Sequence, residues 1–237
     1  MAFFTSRRVL LVVAGTLVAQ LVAAGRLVAQ QSRSRVADPE SREQALIAAA
    51  ERGAVEDVKR LLAEGARHDE RDARGRTALL VATIRNHVEV ARVLIAAGAD
   101  VNAKDHQNDS PFLYAGAEGR LEILRMTLAA GADLRSTNRY GGTALIPACH
   151  HGQVETVREL LKTAIDIDHV NNLGWTALLE AVILGDGGAT YVEIVQLLVG
   201  ARANLNIADR DGVSPLVHAR RRGFRAIVQV LEGAGAR

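Results

Sequence analysis

Cysteine and aromatic residues are scarce in this chain of 237 residues. Cys149 is the only cysteine, which excludes an intramolecular disulfide, so the fold must be held together by packing alone. Phe, Trp and Tyr together make up 3% of the residues, a low fraction for a single globular core. This composition is typical of stacked helices whose interior is filled by Ala, Leu, Val and Ile.

A strong net charge is also lacking, since 29 basic and 27 acidic residues give a formal charge of +2. Five arginines precede the first acidic residue, Asp38: Arg7, Arg8, Arg26, Arg33 and Arg35. Removing these five leaves 24 basic against 27 acidic residues, so the rest of the chain has a charge near −3. The basic excess therefore belongs to the N-terminal segment, and we expect no nucleic-acid binding by the remainder.

Residues 1–30 have the composition of a targeting segment. Arg7 and Arg8 are followed by an apolar run of 16 residues, Val9 to Ala24, and then by small residues. The run is short for a membrane span of about 20 residues. The segment predicts a signal peptide, with an uncleaved N-terminal membrane anchor as the alternative. Residues 31–40 form a polar linker without periodicity.

The leader also bears on localisation. Ser6 to Leu11 partly resembles the twin-arginine export motif, so both twin-arginine and general secretory export stay open. A fold that does not depend on disulfides is indifferent to an oxidising compartment. We expect an exported protein in the bacterial periplasm, with anchoring to the inner membrane as the alternative and no other membrane contact.

One stretch, Arg71 to Asn102, recurs at a fixed period. Its Thr77 is predicted to cap a short helix, and Thr77 has counterparts at Ser110, Thr143, Thr176 and Ser214, at spacings of 33, 33, 33 and 38 residues. Asn86 suits a left-handed turn, Val88 opens a second helix, and Gly98 ends it. Gln44, which lies 33 residues before Thr77, heads a further two-helix pattern. Helices this short need neighbours of their own kind to bury their apolar faces.

The period and its signature residues resemble the ankyrin repeat. The turn reads Asp72-Ala73-Arg74-Gly75-Arg76-Thr77-Ala78-Leu79, and the tail reads Gly98-Ala99-Asp100-Val101-Asn102. The resemblance covers roughly the last 200 residues. It implies an all-α solenoid of stacked helix-turn-helix units with β-turn tips, in which residues 41–237 form six repeats and the first and last act as caps.

Two departures from the repeat bear on stability. Ala164 in the fourth repeat and Arg202 in the fifth stand where Gly98 stands in the second. If the backbone is left-handed there, each residue costs about 1 kcal/mol, so the junctions after these repeats are expected to be soft. The fifth repeat also has five additional residues, predicted as a flexible loop between its helices, Leu184 to Thr190, or as a lip that contacts a partner.

One cluster, Cys149-His150-His151, has the residue types of a nucleophile or a metal site, but its position in the repeat explains it structurally. Cys149, His150 and His151 are adjacent, but neighbouring residues on a helix point about 100° apart and do not converge on one ion. Cys149 occupies a small buried position, and the two histidines fall at the variable end of the first helix. We therefore expect no catalytic residue, no metal site and no cofactor.

The binding surface is predicted on the turn tips and the first helices, because these project from one side of a stacked array. The tips offer Arg74 and Arg76, then His106, Gln107 and Asp109, then Arg139 and Tyr140, then Leu173 and Trp175, then Arg210 and Asp211, while Tyr114 and Glu180 lie on the first helices, in the concave face. Tyr140 and Trp175 are the predicted hot spots, since large aromatics dominate many interfaces. The alternative for Trp175 is that it covers the next turn.

The resemblance implies a non-catalytic scaffold that binds another protein and acts as a monomer. One alternative is an inhibitor or protective partner of an envelope enzyme. A further one is a small-ligand binder in the concave groove. The last would require convergent polar groups, and the variable positions are not expected to supply them.

Overall fold

Six helix pairs follow one another in the computed structural model, which describes residues 39–237. The predicted signal peptide or anchor and most of the linker lie outside the described residues, so the divisions near residues 30 and 40 stay predictions. Residues Glu43–Arg237 form one compact unit. In the part of the chain that the structure describes, no helix is long and apolar enough to cross a membrane.

Each pair consists of a first helix, a tight turn and a second helix. The pairs are α1 (Pro39–Arg52) and α2 (Val55–Ala63), α3 (Ala78–Ile84) and α4 (Val88–Ala96), α5 (Pro111–Ala117) and α6 (Leu121–Ala129), α7 (Leu145–His150) and α8 (Val154–Leu160), α9 (Ala177–Leu184) and α10 (Ala189–Gly200), and α11 (Pro215–Arg221) and α12 (Arg225–Gly233). The described residues contain helices and turns without strands, which confirms the predicted all-α solenoid.

One apolar core runs through the stack. Its buried side chains extend from Leu46 in the first repeat to Leu231 in the sixth. Neighbouring first helices approach closely, because a Cβ atom added at Gly116 on α5 would lie 2.9 Å from the Cβ of Ala144 just before α7. The repeats therefore share a continuous interior, as the short amphipathic helices require.

Four of the five predicted hydroxyl caps are formed. The side chain of Thr77 accepts a hydrogen bond of 3.2 Å from the backbone N–H of Leu80, and Ser110, Thr176 and Ser214 cap their helices in the same way. In each of these repeats the N–H four residues after the cap also donates to the cap's carbonyl, as Val81 does to Thr77 at 3.0 Å. The two bonds together fix where the helix begins.

The predicted cap at Thr143 is wrong, because the residue four positions later is Pro147. Proline has no N–H to donate, so the carbonyl of Thr143 accepts from Ile146 instead, at 3.2 Å. Helix α7 then begins at Leu145, and the Oγ1 atom of Thr143 is buried without a hydrogen-bond partner.

Left-handed backbone occurs at Arg202 but not at Ala164. Asn86, Asn108 and Arg202, with φ of 58°, 61° and 66°, are the non-glycine residues of the described chain with positive φ. The condition of left-handed backbone is therefore met at Arg202. It is not met at Ala164, because the hydroxyl of Thr163 closes the turn: Thr163 Oγ1 accepts from the N–H of Ile165 at 3.2 Å and donates to the carbonyl of Leu160 at 2.6 Å. The softness of the two junctions stays a prediction.

The five additional residues of the fifth repeat mostly lengthen a helix. Helix α10 has 12 residues, against 9 in α4, so three of the five belong to it and the loop is only residues 185–188. The loop packs on the sixth repeat, since a Cβ atom added at Gly187 would lie 2.3 Å from the ring of Phe224. The loop is therefore shorter than predicted and contacts the neighbouring repeat, while its flexibility stays a prediction.

Candidate functional site

A cavity of about 470 Å³ lies among α5, α7, α9 and the turns that precede them. Seven of the predicted binding residues line it: Gln107, Asp109, Tyr114, Arg139, Tyr140, Leu173 and Glu180. They come from three successive repeats, so stacking alone brings them together. The volume falls within the range of about 300–1,000 Å³ that is usual for ligand pockets.

Exposed apolar side chains are concentrated around this cavity. Four large apolar residues are exposed in the described chain: Tyr140 at 52%, Val170 at 47%, Leu173 at 46% and Leu184 at 40%. All of them except Val170 line the cavity. A contiguous exposed apolar surface with a polar surround is typical of an interaction site.

Arg139 connects two turns at the edge of the cavity. Its Nη1 atom donates to Oε1 of Gln107 at 3.2 Å and to Oδ2 of Asp109 at 3.3 Å, both in the preceding repeat. Its guanidinium carbon lies 4.8 Å from the centroid of the Tyr140 ring. Burial raises the pKa of Asp109, while Arg139 opposes that shift. The arginine therefore fixes the position of Tyr140 and of the turn that carries it.

Glu180 is a buried carboxyl group in the wall of the cavity. The residue is only 5% exposed, and its Oε1 accepts a hydrogen bond of 3.0 Å from Nδ2 of Asn171. Its Oε2 lies 3.5 Å from Nδ1 of His150 on the neighbouring helix. Burial raises the pKa of Glu180 to about 7, although the hydrogen bond from Asn171 acts in the opposite direction. The sequence placed Glu180 on this face but did not indicate its burial.

His150 and His151 also line the cavity, together with Glu118. Nδ1 of His151 is 2.9 Å from the carbonyl of Ala117 and 3.5 Å from Oε1 of Glu118, while the two imidazole rings lie 4.7 Å apart. Burial, and then the neighbouring His151, lower the pKa of His150. These three residues are absent from the predicted surface. All three residues lie at the end of the first helix of their repeats, and this shared position in the repeat could have placed them on the same surface.

Two chemical roles are not supported by the geometry. Within residues 39–237 no group of His, Cys, Asp or Glu is arranged to hold a metal ion. Cys149 is completely buried, and burial, followed by the charge of Glu180, raises its pKa far above the ordinary value. A thiol in this state is not a nucleophile at neutral pH.

The other predicted site residues lie away from the cavity. They are Arg74, Arg76, His106, Trp175, Arg210 and Asp211. Arg76 is held by Asp72, with 2.6 Å between Nη2 and Oδ2, and Arg210 donates to the carbonyl of Asn172. Trp175 is half-buried, and its backbone N–H donates to Oδ1 of Asn171 at 3.0 Å. The structure thus does not bring Trp175 into the cavity beside Tyr140.

The expectation that polar groups do not converge in the groove is wrong. Glu180 contacts both Asn171 and His150, and Arg139 contacts Asp109. Asn171 and Glu180 are 9 residues apart in the same repeat, whereas Arg139 and Asp109 are 30 residues apart in neighbouring repeats. The stacking of repeats therefore brings His150 to Glu180 and Arg139 to Asp109.

Comparisons with known proteins give a consistent result. A family model for ankyrin repeats in three copies matches residues 14–105 and 112–209. The ankyrin repeat protein YahD of Escherichia coli (strain K12) is 47% identical over 57 residues, which are 24% of this chain and 28% of YahD. This match spans less than a third of YahD.

Solved structures match over much more of the chain. The crystal structure of an ankyrin repeat domain from Acinetobacter baumannii AYE is 58% identical, with a TM-score of 0.79, over 81% of this chain and 98% of that domain. The ankyrin repeat protein EF0377 is 40% identical, with a TM-score of 0.79, over 82% of this chain and 98% of its own. The ankyrin repeat domain of Bcl-3, a member of the IkappaB family, is 31% identical, with a TM-score of 0.73, over 81% and 86%.

Ankyrin repeat domains are general scaffolds for protein–protein interaction and are as a rule without catalytic activity. The family model covers more than half of this chain, and the fold and helix pairing agree with it. The chain therefore belongs to the ankyrin repeat family.

Proposed function

We propose that this protein is a non-catalytic scaffold that binds a partner protein through the first helices and turns of the third, fourth and fifth repeats. The observation that carries the proposal is the clustering of Tyr140, Leu173 and Leu184 around one cavity that also contains a buried carboxyl group. Exposed apolar side chains beside desolvated polar groups are the arrangement found in interface hot spots.

The proposal is tested by capture of a partner on the tagged full-length chain. We expect Tyr140→Ala and Leu173→Ala each to weaken capture at least tenfold, because truncated hot spots cost about 2 kcal/mol or more. Val170→Ala is the matched control, since Val170 is as exposed as Leu173 but does not line the cavity. Tyr140→Ala and Leu173→Ala should keep the melting temperature of the parent. Equal loss of capture in all three variants would contradict this site.

A small-ligand binder is the second candidate, and the convergence of Glu180, Asn171 and His150 favours it. The cavity is large enough for a small molecule. A metabolite screen by thermal shift tests this function, because a true ligand raises the melting temperature of the parent protein and not that of Glu180→Gln. A partner protein is preferred because three of the four large apolar residues that are exposed in the described chain, Tyr140, Leu173 and Leu184, line this one cavity.

We also propose that the protein is exported, most simply to a bacterial periplasm, on the strength of the Arg7-Arg8 pair and the apolar run that follows it. An alkaline phosphatase fusion after Arg237 should be active if the repeats are exported. A variant with Arg7 and Arg8 both replaced by Gln should lose that activity if twin-arginine export operates. An inactive parent fusion with the protein retained in the cytosol would contradict export.

A further inference from the structure

We propose that the cavity receives a cationic side chain, arginine or lysine, from the partner protein. This inference rests on the proposed function and names the chemistry of the group that enters the site. It is carried by the cavity itself, by the charges in its wall and by the aromatic and apolar side chains around them.

The charges in the wall favour a cation. Three carboxyl groups line the cavity, those of Asp109, Glu118 and Glu180, against the single guanidinium of Arg139. That guanidinium already contacts Asp109, Gln107 and the Tyr140 ring. A carboxylate or phosphate guest would therefore meet acidic groups and a cation that is already paired. A cationic guest would instead meet Glu118 and Glu180, which form no ion pair with an arginine or lysine of the described residues.

One carboxylate oxygen of Glu180, Oε2, is available to bind a cation. Its Oε1 is occupied by Asn171, but within the described residues the polar contact of Oε2 is His150 alone, at 3.5 Å. Because the pKa of His150 is lowered, chiefly by burial, this histidine is neutral at neutral pH and does not compensate the carboxylate. A buried carboxylate without a charged partner is unfavourable, so a cation that enters the cavity would gain a strong charge-assisted hydrogen bond.

Aromatic and apolar groups suit the rest of such a side chain. Tyr114 is half-buried in the wall, and burial, with the charge of Glu118, raises the pKa of its hydroxyl, so the ring stays neutral. A cation near a tyrosine ring gains further attraction. Leu173 and Leu184 can cover the methylene stem, which long basic side chains bury while their charged ends reach polar groups.

Binding of this kind depends on pH. A cation in the cavity favours the ionised form of Glu180, whose pKa without a guest is about 7. Guest binding should therefore release a proton and become tighter as the pH rises from 6 to 8. The ionisable groups that face the cavity with Glu180 are His150, His151, Tyr114, Glu118, Asp109 and Arg139.

The test uses the full-length chain and a minimal probe, N-acetyl-arginine N-methylamide, followed by amide chemical shifts in NMR. Its neutral control is the citrulline analogue, which has nearly the same shape without the charge. We expect the arginine probe to shift amides of the third to fifth repeats and the citrulline probe to leave them unchanged. Loss of one charge-assisted contact in Glu180→Gln should weaken probe binding about tenfold.

Two further variants keep the test decisive. Glu118→Gln changes a half-buried residue of the same wall and should also weaken the arginine probe. Glu155→Gln changes an exposed residue on the second helix of the fourth repeat, removes a carboxylate outside the cavity and should bind as the parent does. The dispersion of the amide signals shows whether each variant is folded. If Glu180→Gln does not fold, the binding of the arginine probe to Glu118→Gln tests the inference instead.

The inference is overturned if the two probes shift the same amides with equal affinity, if neither shifts any, or if Glu155→Gln weakens binding as much as Glu118→Gln. Its failure is distinct from failure of the proposed function. If Tyr140→Ala abolishes partner capture while Glu118→Gln and Glu180→Gln leave it unchanged, the site binds a protein but not through a cationic side chain.

Discussion

Oε2 of Glu180 on α9 lies 3.5 Å from Nδ1 of His150 on α7, and both side chains line the cavity. The pKa values of the two groups are shifted in the directions that remove charge, upward for the acid and downward for the base. Burial is the main cause in both cases. At pH 7 His150 is therefore largely uncharged, while Glu180 is ionised in roughly half of the molecules in the absence of a guest.

Glu180 should make the protein less stable as the pH rises. Its pKa is raised from 4.5 to about 7 on folding, so the folded state binds more protons than the unfolded chain between these values. The stability that this group contributes is complete below pH 4.5 and is lost as the pH passes 7, by roughly 1–3 kcal/mol. In urea unfolding, the free energy of unfolding of Glu180→Gln relative to that of the parent protein should be higher at pH 8 than at pH 5.

His150 does not obscure this comparison. Its lowered pKa means that protonation below about pH 6.5 disfavours the folded state, but the causes of that shift, burial and His151, are present in both the parent and the variant, so most of this contribution cancels in their difference. Glu155→Gln provides the control for loss of an exposed carboxylate. A difference between Glu180→Gln and the parent that is the same at both pH values would contradict the buried acid.

Arg139 should matter for binding more than for stability. Its guanidinium bridges Gln107 and Asp109 and lies over Tyr140, a set of contacts that a lysine ammonium does not reproduce. We expect Arg139→Lys to reduce partner capture several-fold and to change the free energy of unfolding by less than about 1 kcal/mol, since lysine keeps the positive charge and the Arg139 side chain is 45% exposed.

Arg125 provides a matched control for that substitution. It also links two repeats, through Glu122 and Glu159, and its side chain is 46% exposed, close to the 45% of Arg139, but it lies on the second helices. Arg125→Lys should leave capture unchanged. If both lysine variants reduce capture equally, the effect belongs to coupling between repeats and not to the binding surface.

The repeat register made most of the fold predictable, because caps, turn residues and apolar positions recur together. Thr77, Ser110, Thr176 and Ser214 are caps as expected. Thr143 does not cap its helix, since Pro147 removes the N–H that would donate to its carbonyl, and a register that compares only the cap positions overlooks this proline. Seven of the predicted site residues line one cavity, but the burial of Glu180 and its contact with His150 depend on how adjacent repeats stack.

Thr143 and Thr176 should respond differently to the same substitution. Both are buried, but Thr176 accepts a hydrogen bond of 3.2 Å from the N–H of Leu179, whereas Oγ1 of Thr143 has no partner. Thr176→Val should lower the free energy of unfolding by about 1 kcal/mol through loss of the cap. Thr143→Val should leave it unchanged or raise it, because it removes a buried unsatisfied hydroxyl without changing the side chain's shape. Chemical denaturation of both variants makes the comparison, and equal losses would show that Thr143 also caps its helix.

Substitution by glycine should change the free energy of unfolding in opposite directions at Arg202 and Ala164. Arg202 has a φ of 66°, a conformation that costs an L-residue about 1–2 kcal/mol, so Arg202→Gly should raise the free energy of unfolding by about 1 kcal/mol. Ala164 is not left-handed, because Thr163 closes that turn, and Ala164→Gly should instead lower stability by roughly 0.4–1 kcal/mol through the greater freedom of the unfolded chain. Urea unfolding measures both values.

Hydrogen exchange measures the same strain locally. The amides around the end of α10 should exchange faster because of the strain at Arg202, and Arg202→Gly should slow that exchange. Stabilisation by both substitutions would mean that the Thr163 turn is strained as well, and the junction after the fourth repeat would then also be soft.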